Sequence, residues 1–206
     1  MSVTIQKEIK PIFRAYNTML ELLDDRKYDL DDSYRIDDIF QFYNLLKEKQ
    51  IEIFCKHKED TSKHIYIRFF TEGKNFQKKD LISIVQGALE NTENPNLNII
   101  LVLEDKPNST VLKEMGRNEF KNVEIFTLKS LSINITKHSF VPKHVLLNDE
   151  ELKKLLNTYQ CTKSQLPRID KKDPVACYYG MKPGDVCRIE RPSETTGTYY
   201  YYRLVR

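Results

Sequence analysis

Between Lys163 and Arg206 the chain reads KSQLPRIDKKDPVACYYGMKPGDVCRIERPSETTGTYYYYRLVR, and no other stretch fixes the limits of its own elements so tightly. Asp173-Pro174 predicts a helix start. Aspartate caps free backbone N–H groups, and proline at the first helical position gives up a donor that had no partner there. Gly180 predicts the end of that helix at 174–179, because the residue just past a helix often turns left-handed and glycine does so without a Cβ clash. Lys182-Pro183-Gly184-Asp185 reads as a tight turn, with Pro183 presetting φ and Gly184 free to take a positive φ. Residues 186–190 and 198–205 read as strands on their β-branched and aromatic content, with 192–197 as the loop between them.

Upstream, Ile9, Ile12, Phe13, Tyr16, Met19, Leu20 and Leu23 recur at three- and four-residue spacings, which predicts an amphipathic helix over 7–23. Packing on its own domain is the favoured role for that stripe, ahead of binding a partner. Ile36, Ile39, Phe40, Tyr43 and Leu46 repeat the pattern. Residues 51–55 and 65–70 are β-rich runs joined through the polar Glu59-Asp60-Thr61-Ser62, as in a hairpin. From Ile65 the elements alternate: strand 65–70, a helix carrying Leu81, Ile82, Val85, Ala88 and Leu89, strand 98–103, helix 110–120 and strand 123–128. Connections of that length imply right-handed crossovers and a largely parallel sheet. The run NIILVL lacks polar alternation, as a central strand covered on both faces requires. The expected fold is therefore an α/β N-terminal domain followed by a small α+β module. Asn148 and Glu151 have the spacing of a capping box, and Leu152, Leu155, Leu156 and Tyr159 supply the buried face of a helix packed on the strands of that module.

Ligands of open α/β sheets collect at strand ends, and the central strand is followed by Glu104-Asp105-Lys106. An E-x-K triplet suits a metal-dependent nuclease, the carboxylate holding Mg²⁺ and Lys106 stabilising developing charge. Such a site needs a second acid, and 65–70 supplies none. Glu52 or Glu124 would have to serve, so a solvated loop is the better reading. His138 and His144 have no third ligand at useful spacing and are assigned to structure or partner contact. Cys55, Cys161, Cys177 and Cys187 are scattered, which predicts free buried thiols, no disulfide and no zinc site. Nothing calls for a cofactor. The tyrosines at 199–202 put two rings on each face of a strand. Stacking on single-stranded bases is the sharper interpretation. Core plus protein interface is the better supported one, because Arg188, Arg191 and Arg203 mix with Glu190 and Glu194 nearby.

Charge argues the same way. The net charge is +3, and from Lys143 onward 12 Lys/Arg face 8 Asp/Glu, against 21 and 22 before it. That is too little for an independent phosphate clamp. No stretch approaches the roughly 20 apolar residues of a membrane span, and the opening MSVTIQKEIKP lacks a signal peptide's apolar core. A soluble intracellular chain with no membrane partner is expected.

The motifs SQLPRI, DPVACYYG and KPGDVCRIERPSETTGTYYYYRLV, with HSFVPKHVLLNDEE upstream at 138–151, closely resemble the fifth subunit shared by eukaryotic nuclear RNA polymerases. The same module is similar to the H-type subunit of archaeal RNA polymerases, and PIFRAYNTMLELLDDRKYDL loosely matches the family's opening helix. The resemblance implies a non-catalytic subunit of DNA-directed RNA polymerase, a monomer within a hetero-oligomer, with Mg²⁺ and catalytic carboxylates in other subunits. It implies an N-terminal jaw, 1–137, with a nuclease-like fold, whose loop at Pro107, Asn108 and Ser109 lies near downstream duplex DNA. It implies a C-terminal assembly domain, 138–206, that docks on the largest subunit beside neighbouring small subunits. Arg168, Tyr178, Tyr179, Arg191, Pro192, Ser193, Glu194, Thr195 and Tyr200 fall in the shared motifs and are the docking candidates. Localisation follows the source: nucleus for a cellular polymerase, host cytoplasm or virion for a viral one; the Lys-, Asn- and Ile-rich composition would suit an AT-rich genome, such as that of a large DNA virus or a protist.

Overall fold

The first apolar stripe becomes α1, Val3–Asp25, which buries Ile9, Tyr16, Met19, Leu22 and Leu23 along one face. Pro11 sits inside it on the exposed side, so the backbone bond it cannot donate is lost where solvent reaches. The computed structural model describes residues 3–48, 51–71, 76–92, 94, 96–193 and 197–206. They divide into two compact units, Met1–Ile133 and Asn134–Arg206.

In the first unit, β1 (Tyr28–Asp29), β2 (Glu52–His57), β3 (His64–Phe70), β4 (Asn98–Leu103) and β5 (Val123–Thr127) form one sheet in that order. The expected largely parallel sheet is instead mixed: β1, β2 and β3 pair antiparallel, and β3, β4 and β5 pair parallel. Connection length decides this. A short turn after His57 can only send β3 back antiparallel, whereas α3 (Lys78–Thr92) and α4 (Ser109–Met115) are long enough to carry parallel crossovers. Helix α4 ends five residues before the expected limit. Its cap is Gly116, and the last part of the segment is a separate 3₁₀ turn, Asn118–Phe120, that buries Phe120.

Strand β4 is buried from Ile99 to Leu103, on both faces. Ile99, Leu101 and Leu103 pack with Leu81, Ile84, Val85, Ala88 and Val111 of α3 and α4. The opposite face carries Ile65, Ile67 and Phe69 of β3. Phe69 meets Tyr16 of α1 at 6.0 Å between rings, and Tyr16 meets Phe42 of α2 (Ile39–Glu48) at 5.1 Å. Helices therefore cover both faces. That is why this strand shows no polar alternation.

The second unit holds β6 (Lys143–Leu146), α5 (Asp149–Tyr159), β7 (Arg168–Ile169), α6 (Pro174–Tyr178), β8 (Val186–Ser193) and β9 (Gly197–Val205). Its sheet order is β6-β8-β9-β7. On one face Leu155 and Leu152 of α5 pack on Val186, Leu204 and Tyr202; on the other Ala176 of α6 packs with Cys187, Ile189, Ile169 and Val205. The unit starts at Asn134, four residues ahead of the boundary expected at 138, because the Asn134 side chain belongs to this core. Its Nδ2 donates to the Tyr178 hydroxyl at 3.0 Å, and its Oδ1 accepts from Thr136 N at 2.9 Å.

Candidate docking surface

Local turn chemistry builds the hairpin. Asp173 Oδ1 accepts from Val175 N at 2.9 Å and caps α6, with Pro174 in its first turn. Gly180 (φ 62°) turns the chain out of the helix, Gly184 (φ 99°) completes the next turn, and Asp185 Oδ2 accepts from Lys182 N at 2.7 Å. β8 and β9 then pair antiparallel from Val186↔Leu204 to Ser193↔Gly197. Strand β8 runs through Pro192, beyond the end expected at Glu190. Val186 O accepts from Leu147 N on the β6 side, so by alternation the Pro192 nitrogen also points away from β9, past the last β6 pairing at Glu190. The proline forfeits no ladder bond there.

The outer half of this hairpin is aromatic and cationic. Tyr199, Tyr200 and Tyr201 are 49%, 47% and 44% exposed, far above what a core strand would show. Tyr199 and Tyr201 contact edge-on at 4.4 Å on one face. The Arg191 guanidinium lies 5.3 Å from the Tyr201 ring, and Arg188 lies 5.4 Å from Tyr200 on the other face. Exposed contacts of this kind contribute about 0.5–1 kcal/mol each and hold long side chains in place. Glu190 joins Arg188 at 2.9 Å and Lys143 at 3.7 Å.

The docking candidates divide by exposure. Arg168, Arg191, Pro192 and Tyr200 lie at the surface, and Tyr179 is half-buried against Tyr178 at 5.2 Å. Tyr178 is 3% exposed and holds Asn134, so its ring serves the interior and presents almost nothing to a partner. Ser193 is paired with Gly197 through its backbone, while Glu194 and Thr195 lie outside the described residues. The His144 ring is buried and its Nδ1–H donates to the Pro142 carbonyl at 2.7 Å; burial holds its pKa below the ordinary value. His138 is exposed against Phe140, and Phe140 itself is 90% exposed. Sequence reasoning missed Phe140 as a surface residue, although it lies in the HSFVPKH run between Pro142 and His138.

In the first unit, Asn108 caps α4, with Oδ1 accepting from Val111 N at 2.9 Å; Ser109 is exposed and Pro107 half-buried. Glu104, Asp105 and Lys106 are exposed in the bend after β4. The acids that could have completed a nuclease site are engaged elsewhere. Glu124 stands opposite Ile100, four residues back along β4 from Glu104, and takes Arg26 through both oxygens at 2.8 and 3.1 Å. Glu52 faces Arg68 at 3.7 Å. Among the described residues no group of three or more His, Cys, Asp or Glu could hold a metal ion, and no helix is long and apolar enough to cross a membrane.

None of the four cysteines is in a disulfide. Only Cys55 and Cys187 are buried, where the expectation was burial of all four; Cys161 and Cys177 sit at half-open positions.

Comparison with known proteins then decides the family. A family model described as RNA polymerase Rpb5, N-terminal domain, matches residues 6–88, and one described as RNA polymerase Rpb5, C-terminal domain, matches 133–205. The chain belongs to the RNA polymerase Rpb5 family. A Dictyostelium discoideum protein named as subunit rpabc1 of DNA-directed RNA polymerases I, II and III is 34% identical, over 96% of this chain and 98% of that one. An Arabidopsis thaliana subunit 5B of polymerases IV and V is 33% identical over 96% and 91%. The Caenorhabditis elegans subunit RPABC1 of polymerases I, II and III is 33% identical over 94% and 95%. Both Rpb5 domains lie in one chain, in order.

Proposed function

We propose that the chain is a non-catalytic subunit of a multisubunit DNA-directed RNA polymerase, with its second unit docking on the largest subunit. The observation that carries this is the match of both Rpb5 domains, at 6–88 and 133–205, over a chain that covers nearly the full length of its relatives. The exposed tyrosines and arginines of β8 and β9 support the docking role, since aromatic and Arg anchors dominate protein interfaces. Arg168, Arg191, Pro192 and Tyr200 supply surface contacts, joined by Tyr179 and by Ser193, Glu194 and Thr195. Tyr178 acts by holding Asn134 from within.

The first unit is the jaw, a nuclease-like α/β domain beside downstream duplex DNA. The loop at Pro107, Asn108 and Ser109 approaches phosphate through its backbone and the Asn108 amide nitrogen, which would position a duplex without reading it. Neighbouring small subunits complete the surroundings, and nucleotide addition belongs to other subunits. The nucleus is the site of action in a cellular eukaryote; a viral homologue would act in host cytoplasm or the virion.

Affinity purification of the tagged chain from its native source tests this reading. Stoichiometric recovery with two very large polymerase subunits is the expected result. Recovery of the chain alone would overturn it.

A further inference from the structure

Strand β9 has an open edge. β7 pairs with Leu204 and Val205 only, and Leu204 N donates to the Pro167 carbonyl at 2.7 Å. Pro167, next in line, has no N–H with which to extend that ladder. Because Leu204 N faces β7, alternation turns the backbone groups of Tyr202, Tyr200 and Thr198 to the same side. Arg203, Tyr201 and Tyr199 face β8 instead. Among the described residues no strand lies beside 197–202.

Edges of this kind are usually blunted by lysine, proline or a bulge. β8 follows that rule with Pro192 where it outruns β6. The stretch 197–202 of β9, Gly-Thr-Tyr-Tyr-Tyr-Tyr, contains no charge and no proline. Its charge lies beside it. Arg191, Tyr199, Tyr201 and Arg203 share one face of the hairpin, and among the described residues neither arginine has an ion pair. The carboxylate of Glu190 is on the opposite face, taken by Arg188 and Lys143.

We infer that β9 is completed by strand addition: an extended, acid-bearing segment of the largest polymerase subunit pairs with the backbone of Thr198, Tyr200 and Tyr202. Its carboxylates meet Arg191 and Arg203, and the tyrosines flank it on both faces. Backbone bonds supply the affinity and the alternating side chains the selection. The inference rests on the docking reading above and adds the mode of attachment.

The test is hydrogen exchange at single-residue resolution on the full chain, free and assembled into polymerase. In the free chain the amides of Thr198, Tyr200 and Tyr202 exchange fast while those of Tyr199, Tyr201 and Arg203 are protected. On assembly the fast set becomes protected too. Assembly that leaves the fast set unprotected overturns strand addition while the subunit assignment stands. A wild-type chain that fails to assemble overturns both. Tyr200→Pro removes the ring and, from the backbone, only an outward N–H, so the hairpin keeps its pairing with β8, but incorporation in competition with wild type falls about tenfold for one lost backbone bond and a blocked approach. Tyr200→Ala keeps the backbone and falls less. Equal losses in the two variants would assign docking to the ring and overturn the inference, as would protection of the same amides by single-stranded oligonucleotide in place of polymerase.

Discussion

At the scale of single residues, burial separates side chains that the sequence presents as alike. Burial pushes the Cys55 thiol up to about 11 and raises that of Cys187, so both stay protonated and out of reach. Cys161 and Cys177 are half-open. Alkylation of the folded chain, read by peptide mass spectrometry, should label Cys161 and Cys177 well before Cys55 and Cys187. His144 gives a pH prediction. Burial first, with Arg191 and Arg203 adding to it, lowers its pKa against smaller opposing contributions from the Pro142 carbonyl and Asp173. The unfolded chain therefore binds a proton that the folded chain resists, and stability rises with pH through that window. Stability is full above the ordinary imidazole value of about 6.5 and declines as pH falls toward the lowered folded value. Urea unfolding across this range, followed by exchange of the β8 and β9 amides, should show that decline, and His144→Asn should flatten it.

At the scale of elements, what could be read in advance was what is decided locally. Asn148 and Glu151 form the expected reciprocal cap, with Glu151 N donating to Asn148 Oδ1 at 2.9 Å and Asn148 N to Glu151 Oε2 at 3.0 Å. Asn148→Ala should cost about 1 kcal/mol, measured as a lowered denaturation midpoint with an unchanged slope. The α6 cap and the Gly184 turn were legible for the same reason. The short strands were not. β7 is two residues long and β6 four, and both exist because β9 and β8 offer them a ladder, which no local propensity encodes. The mixed sheet was half legible: the hairpin and the crossovers each announced themselves, but their sum does not give a mostly parallel order. The docking candidates show the same limit. Tyr178 and Tyr179 are adjacent and chemically similar, and only the packing of α6 decides that one holds Asn134 while the other borders the surface.

At the scale of the whole molecule, pairings between distant segments define the two units. Arg26 and Glu124 meet across 98 residues, with the arginine side chain 8% exposed, and no periodicity could have matched them. In the second unit the two sheet faces are covered by α5 and α6 from within the same segment, so residues 134–206 contain their own core. A segment of this size has only a marginal excess of burial over chain entropy, and single hydrogen bonds then matter. A fragment beginning at Asn134 should unfold in one cooperative transition. A fragment beginning at His138 loses the amide that donates to the buried Tyr178 hydroxyl, together with the turn Ile135–Lys137, and should be less stable by at least about 1 kcal/mol. Denaturation of the two fragments side by side measures the difference. Equal stability would mean that water replaces Asn134 at Tyr178 and that the C-terminal unit begins, in energetic terms, at the connector instead of at the turn before it.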